Sequence, residues 1–289
     1  MYQRFYELSD SPFELTYNSK FVFLSESERR VVGHLESGLL SARPITVLVG
    51  DPGTGKTTLL QAALQSARCR HVQCVSLKNP TLTREELIET LVAEFALGPR
   101  AVSSKTALFH ELQSALCERR ARGMATALVI DEAENLSDDL YDELRRLANM
   151  EAAHVTLLPL ILAGQSELAT RLDEPGLRYF MQRVSMRCEV APLMLSQTAD
   201  YIVWRVHAAG SQAGKLFTRE AVVLIHELSG GVARTINVIC DNVLLIGFAR
   251  KLKPVTRDLV QQVCRDLDLD DAPRSDPSPR DHAAASSYM

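Results

Sequence analysis

The stretch 50–58 has the residue types and the spacing needed to bind a polyphosphate. Its sequence, Gly-Asp-Pro-Gly-Thr-Gly-Lys-Thr-Thr, matches the phosphate-loop pattern G-x-x-x-x-G-K-[ST]. Glycines allow backbone N–H groups to turn towards phosphate oxygens, and the N-terminus of a following helix adds its dipole. The predicted nucleotide-binding residues are Gly50, Asp51, Pro52, Gly53, Thr54, Gly55, Lys56, Thr57 and Thr58.

A pair of carboxylates further along the chain supplies the complementary chemistry. The apolar run 127–130 leads directly into Asp131 and Glu132. We predict that Thr57 and Asp131 bind Mg²⁺, that Lys56 neutralises the phosphates, and that Glu132 is the general base that activates water. The alternative is that the acidic pair only stabilises the N-terminus of a following helix through the helix dipole.

Alternating strands and helices must position these residues. Short apolar runs predict strands at 45–49, 71–77, 127–132, 156–163 and 186–190, with helical patterns between them. This alternation is typical of right-handed βαβ units, so the predicted fold class is α/β, a parallel-sheet core with helices on both faces. From residue 196 onward only helices are predicted, which indicates a separate C-terminal all-helical subdomain.

The sequence therefore divides into four expected parts. They are an N-terminal segment (1–44) that packs on the core, the phosphate-loop core (45–192), the helical subdomain (193–268) and a disordered tail (269–289) that is rich in Pro and Ser. Aromatic residues concentrate in the first part. They either wall one side of an adenine pocket or simply anchor the segment by hydrophobic contact.

Composition is that of an ordinary globular protein. The chain has 289 residues, of which 46% are hydrophobic and 24% charged, and its net charge is −4. This charge does not suggest nucleic-acid binding by the chain as a whole. The six cysteines form no C-x-x-C pair and have no histidine at metal-ligand spacing. No apolar run approaches the length of a membrane span, so we expect a cytoplasmic protein.

Several separated motifs resemble AAA+ ATPases of the general secretion pathway protein A type (ExeA-like). The resemblance runs from Met1 to about Ala249, with the motifs in the same order along the chain. The matching segments are 5–8, 11–16, 50–58, 130–136, 144–149, 162–168, 182–184, 201–202, 209–210 and 229–237. The resemblance implies a RecA-like core with a C-terminal helical lid, and Mg²⁺-dependent ATP hydrolysis in a homo-oligomer with sites between subunits.

The resemblance also implies roles for polar residues outside the two main motifs. Gln165 follows a core strand at the sensor 1 position, and its alternative role is a helix cap. Arg234 matches the sensor 2 arginine of the lid. Arg183 matches the region of the arginine finger that acts on a neighbour's ATP, with Arg178 and Arg187 as rivals. A guanidinium can stabilise charge on the transferred phosphoryl group. Each arginine could instead be a surface or helix-packing residue.

The biological setting has two candidate answers. ATPases of this type continue into a membrane span and a periplasmic peptidoglycan-binding module, and this sequence contains neither. We therefore expect a stand-alone cytoplasmic ATPase that acts on a protein partner in a secretion or envelope-assembly system, either free or peripheral to the inner membrane. The alternative is a DNA-associated regulator of the transposition target-selector type. Its basic stripe would come from Arg119, Arg120 and Arg122, or from Lys251 and Lys253.

Overall fold

The computed structural model describes residues 2–40, 43–77, 81, 83–211 and 216–267, with only the backbone described at 102 and 103. Contacts divide the chain into two units. One is Leu24–Ala191, which contains the sheet; the other is formed by the described parts of 1–23 and 192–289 and is helical. The disordered tail predicted for 269–289 lies outside the described residues.

A five-stranded parallel sheet forms the centre of the first unit. In the described residues the strands are β1 (Ile45–Gly50), β2 (Val72–Leu77), β3 (Ala125–Ile130), β4 (Glu151–Ala152), β5 (Val155–Thr156), β6 (Leu160–Gly164) and β7 (Val184–Val190). The sheet order is β2-β3-β6-β1-β7, and every neighbouring pair is parallel. The short strands β4 and β5 pair antiparallel outside this sheet. The predicted parallel sheet is thus confirmed.

Helices connect the strands and make up the second unit. In the described residues they are α1 (Tyr2–Tyr6), α2 (Glu26–Leu40), α3 (Lys56–Gln65), α4 (Arg84–Phe95), α5 (Arg100–Ser103), α6 (Lys105–Ala121), α7 (Asp138–Ala148), α8 (Ser166–Leu172), α9 (Arg178–Met181), α10 (Leu195–Ala208), α11 (Arg219–Ser229), α12 (Ala233–Ala249) and α13 (Arg257–Asp266). Short 3₁₀ turns in the described part of the chain lie at Ser19–Phe21, Ala133–Asn135 and Pro175–Leu177.

Helices cover both faces of the sheet because its central strands are apolar on both sides. In β1, alternate side chains point to opposite faces. Val47 packs in one buried cluster with Ile130 and with Leu144 of α7. Leu48 packs in a second buried cluster with Leu59 of α3. The edge strands β2 and β7 alternate buried and exposed residues instead, which explains their weaker apolar patterns in the sequence.

Residues 2–23 belong to the helical unit. Tyr6, Phe13 and Phe21 are buried in one hydrophobic cluster with side chains of α10, α11, α12 and α13. The Tyr6 hydroxyl donates a hydrogen bond to the carbonyl of Leu252 at 3.1 Å. The sequence predicted that the whole segment 1–44 packs on the core. In the structure α2 packs against the sheet, while Tyr6, Phe13 and Phe21 find their apolar partners among the C-terminal helices.

A buried arginine cluster ties this segment to the helical unit. Arg205 of α10 is 7% exposed and donates hydrogen bonds to the carbonyls of Pro12 and Glu14 and to the Tyr201 hydroxyl. Tyr201 in turn donates to Asn237 Oδ1 at 2.8 Å, and burial raises the pKa of Tyr201. Such a cluster stabilises a fold only if its buried donors and acceptors are paired, as these are.

Candidate nucleotide-binding site

The phosphate loop connects β1 to α3 in a conformation that requires its glycines. A Cβ built at Gly50 would lie 2.6 Å from the carbonyl oxygen of Val190 in β7, so only glycine allows this close approach. Gly55 precedes α3 with φ of 103°, a left-handed conformation that favours glycine. The Thr54 hydroxyl donates to the Asp51 carbonyl at 2.8 Å and closes the turn.

Lys56 lies at the start of α3 with its side chain folded across the loop. Its ammonium Nζ donates hydrogen bonds to the carbonyls of Gly50, at 2.7 Å, and Asp51, at 3.1 Å. Burial lowers the pKa of Lys56, while the nearby carboxylates of Asp131 and Glu134 oppose that shift. The cation is therefore held in the loop, the position from which a loop lysine contacts phosphates.

The two predicted Mg²⁺ ligands lie next to each other. Thr57 Oγ1 donates a hydrogen bond to Asp131 Oδ2 at 3.3 Å, although the two residues come from different βα units. Both are hard oxygen ligands of the kind that Mg²⁺ prefers. The described residues contain no group of three or more His, Cys, Asp or Glu side chains that could hold a metal. A pair fits Mg²⁺, which commonly takes one or two protein ligands and completes its shell with phosphates and water.

Glu132 lies in a turn with an unusual backbone. Its φ and ψ are 53° and 39°, in the left-handed region that non-glycine residues seldom adopt. Its backbone N–H donates to Asp131 Oδ1 at 3.0 Å, and its side chain is exposed. Strained residues of this kind concentrate at functional sites. The turn brings the predicted base to the same edge of the sheet as the loop.

Gln165 follows β6, which lies between β1 and β3 in the sheet. Carboxyl ends of neighbouring parallel strands meet at one edge, so Gln165 lies between the loop and Asp131. Its side chain makes no capping hydrogen bond to α8, which argues against the helix-cap alternative. Its backbone N–H donates to Glu134 Oε2 at 3.2 Å. The sequence motifs included Glu134 but assigned it no role, because nothing in the sequence indicates that contact.

Arg183 lies near the N-terminal ends of the strands, whereas the phosphate loop lies at their C-terminal ends. It directly precedes β7, whose first residue Val184 pairs with Ile45 at the start of β1. The loop begins at the far end of β1, about 17 Å away at a rise of roughly 3.3 Å per residue. Arg183 therefore does not lie at the phosphate loop of its own chain. Its guanidinium forms a long ion pair with Glu151 at 3.9 Å.

The other candidate arginines differ in how strongly they are held. Arg187, in β7, donates to Asp173 Oδ1 at 2.8 Å and is partly fixed by that ion pair. Arg178 opens α9 and is exposed. Arg234 lies in the first turn of α12 in the helical unit and is also exposed. Among the described residues, no hydrogen bond or ion pair holds the side chain of Arg178 or of Arg234.

The basic residues suggested for DNA are partly engaged within the protein. Arg119 lies over the Phe95 ring, 4.5 Å from its centroid, and donates to the Glu94 carbonyl. In the helical unit, Lys253 forms an ion pair with Glu7 at 2.8 Å. These contacts reduce the charge that Arg119 and Lys253 offer to a polyanion. Arg122 is exposed but forms an ion pair with Glu118 at 3.9 Å, and Arg120 and Lys251 are exposed.

Comparisons with known proteins identify a matching family model and a related sequence. Residues 39–172 match the family model described as an AAA domain. The chain is 34% identical over 250 residues to general secretion pathway protein A of Aeromonas hydrophila. The match covers 86% of this chain but only 45% of that protein, so the chain spans less than half the length of this curated relative.

Among the solved structures that share the fold, two illustrate the likeness. Cdc6p from Pyrobaculum aerophilum has a TM-score of 0.66 at 22% identity, over 89% of this chain and 70% of that chain. Drosophila ORC bound to DNA has a TM-score of 0.60 at 21% identity, over 92% of this chain and 65% of that chain. Among the described helices, none has both the length and the apolar character needed to cross a membrane. Residues 39–172 thus form an AAA domain, in a chain that resembles general secretion pathway protein A over most of its own length.

Proposed function

We propose that this protein binds ATP with Mg²⁺ at the loop 50–58 and hydrolyses it. The observation that carries the proposal is the 3.3 Å contact between Thr57 Oγ1 and Asp131 Oδ2, beside the ammonium group of Lys56. Two hard oxygen ligands and a fixed cation meet at the edge of the sheet where the loop begins. Phosphoryl transfer requires this combination, because its catalysis is mainly positioning and charge stabilisation.

Each residue at this edge has a distinct task in the proposed reaction. The loop N–H groups and Lys56 hold the phosphates, and Glu132 accepts a proton from the attacking water. Gln165 contacts the γ-phosphate or that water from the end of β6. Thr57 and Asp131 would hold Mg²⁺, which would supply positive charge for the transferred phosphoryl group.

A homo-oligomer completes the proposed site. Arg183 lies near the N-terminal ends of the strands, away from the loop of its own chain. Its proposed role as an arginine finger therefore requires the ATP of a second copy. Arg178, which is exposed, and Arg187, which is paired with Asp173, are its rivals. Arg234 would respond to the γ-phosphate from the helical unit, which acts as the lid. ATP binding and hydrolysis would thereby be coupled to rearrangement of the lid and the oligomer.

The proposed setting is a secretion or envelope-assembly system, with a protein component of that system as the partner. The support is the sequence relative of that name, at 34% identity. The proposed location is the cytoplasm, with peripheral association with the inner membrane through that partner. Because the chain spans less than half of the relative, the activity and partners of the whole relative are not transferred to it.

Phosphate release by the purified chain tests this function. We expect turnover of ATP that requires Mg²⁺ and stops on chelation, with a mass that increases when ATP is added. Double-stranded DNA is added in a parallel arm and should leave turnover and assembly unchanged. Stimulation by DNA would replace the secretion setting by the DNA-associated one. No turnover with any of these additions would contradict the ATPase itself.

A further inference from the structure

Glu134 joins two segments of the proposed site. It lies in the 3₁₀ turn Ala133–Asn135, directly after the Asp131–Glu132 pair. Its Oε2 accepts the backbone N–H of Gln165 at 3.2 Å. Gln165 is the first residue after β6, so one carboxylate connects the turn after β3 to the end of the neighbouring strand.

The absence of a side chain at Gly164 makes this connection possible. A Cβ built at Gly164 would lie 2.3 Å from Glu134 Oε2 and 2.7 Å from Leu168 Cδ2. Atoms do not approach so closely, so a side chain at Gly164 would displace one of these groups. Gly164 therefore provides the space that allows the Glu134 carboxylate to reach the backbone N–H of Gln165.

The other oxygen of the Glu134 carboxylate, Oε1, is buried and has no hydrogen-bond partner among the described residues. A buried polar atom without a partner needs an explanation, since most such atoms are paired. Among the described residues, the hydrogen bond from Gln165 is thus the one that fixes the Glu134 side chain, and the two residues hold each other in place.

Resting on the proposed ATPase function, we propose that Glu134 is a positioning residue for γ-phosphate recognition. By holding the backbone of Gln165, it fixes the start of α8, so that the Gln165 side chain meets the γ-phosphate. Because ADP lacks that group, the contact distinguishes ATP from ADP. Glu134 acts through Gln165 and does not itself touch the reacting atoms.

The experiment measures equilibrium binding of fluorescent ADP and of a fluorescent, non-hydrolysable ATP analogue, both with Mg²⁺. Glu134→Ala should lower the ratio of ATP-analogue affinity to ADP affinity about tenfold, the effect expected from the loss of one hydrogen bond. Affinity for ADP should stay within about twofold of the wild-type value. Gln165→Ala should lower the ratio by a similar factor, and the double variant should lower it no further.

Two further variants separate positioning from charge. Glu134→Gln keeps an oxygen that can accept the Gln165 N–H, so it should restore the wild-type ratio. Glu167→Ala is the matched control, since Glu167 also acts electrostatically on Lys56 but has no hydrogen bond to Gln165 in the structure. It should leave the ratio unchanged. If Glu134→Ala does not fold, Glu134→Met is used in its place, because methionine keeps the side-chain volume but cannot accept the hydrogen bond as a carboxylate does.

Several results would overturn the inference. One is a loss with Glu134→Gln as large as with Glu134→Ala, because charge would then matter rather than the accepted bond. Another is an additive loss in the double variant with Gln165→Ala. A wild-type protein that binds no nucleotide would instead contradict the proposed function. Wild-type discrimination that survives in Glu134→Ala would contradict only the role of Glu134.

Discussion

The proposed nucleotide site, at the C-terminal ends of the strands, and the Arg205 cluster of the helical unit both contain polar groups from distant parts of the chain. They differ in how completely those groups are paired. Arg205 is buried, and its recorded hydrogen bonds go to two carbonyls and a hydroxyl. At the sheet edge, Thr57 and Glu132 are exposed, and Glu134 keeps a buried oxygen without a partner among the described residues.

This difference indicates that the Arg205 cluster stabilises the fold and that the groups at the nucleotide site are available to a ligand. Removing a partner from a fully paired buried cluster leaves groups unsatisfied, which destabilises the fold. Removing an exposed or incompletely paired group changes the free energy of unfolding little, but it removes a contact from a bound ligand. Variants at Arg205 and at Lys56 should therefore affect different measurements, and the following predictions run from the largest effect to the smallest.

Lys56→Ala should have the largest effect on turnover. Loss of the ammonium group removes the charge that faces the phosphates, so ATP hydrolysis should fall by about 100-fold or more. The free energy of unfolding without nucleotide should change by less than about 1 kcal/mol, since the hydrogen bonds of this side chain to described residues go to two loop carbonyls. Phosphate release and denaturant unfolding measure the two quantities. Near-normal turnover would mean that this loop is not the ATP site.

Glu132→Gln should separate binding from hydrolysis. The amide cannot accept a proton from water, so turnover should fall by about 100-fold or more while ATP still binds. Nucleotide titration and phosphate release on the same preparation measure both effects. Glu134→Gln is the control because it changes the neighbouring carboxylate in the same way and should keep most of the activity. If the two variants behaved in the reverse manner, Glu134 would be the base.

Arg205→Met should have the opposite profile. It leaves the Tyr201 hydroxyl and the Pro12 and Glu14 carbonyls without their donor, so the free energy of unfolding should fall by about 2–4 kcal/mol. Denaturant unfolding, followed by circular dichroism, measures this loss. Arg219→Met is the matched control, because Arg219 opens α11 of the same unit and is exposed. Equal stability of the two variants would contradict a structural role for the cluster.

Thr83→Ala should have the smallest of these effects. Thr83 caps α4 through a capping box, in which its Oγ1 accepts the Glu86 N–H and Glu86 Oε2 accepts the Thr83 N–H. Loss of the hydroxyl should lower the free energy of unfolding by about 1 kcal/mol and leave nucleotide affinity unchanged. Thr83→Ser keeps the cap and should restore most of the loss. A large fall in affinity would place this cap in the site.

The sequence predicts the parts of the site that depend on local pattern. The loop glycines, Lys56 and Thr57 follow from one motif, and the pairing of Asp131 with Thr57 follows from strand ends that meet at one edge of a parallel sheet. The alternation of strands and helices likewise predicts the core of the fold. In each case the relevant neighbours are close in sequence or are brought together by a general rule of topology.

Contacts that depend on particular tertiary packing are not predictable in this way. Tyr6, Phe13 and Phe21 are visibly apolar in the sequence, but nothing there indicates that they pack among the C-terminal helices. The bond from Gln165 to Glu134 depends on a 3₁₀ turn and on the space at Gly164. The left-handed backbone of Glu132 is equally hidden, because most residues that adopt it are glycines.

The Mg²⁺ dependence of ATP turnover in wild type and in Thr57→Val tests the central claim most directly. Valine keeps the shape of threonine but removes the hydroxyl that lies 3.3 Å from Asp131. If Thr57 and Asp131 hold the metal, the variant should need about tenfold more Mg²⁺ or more for half-maximal turnover, because a ligand is lost. An unchanged Mg²⁺ dependence, in a variant that folds and still binds ATP, would contradict the assigned site.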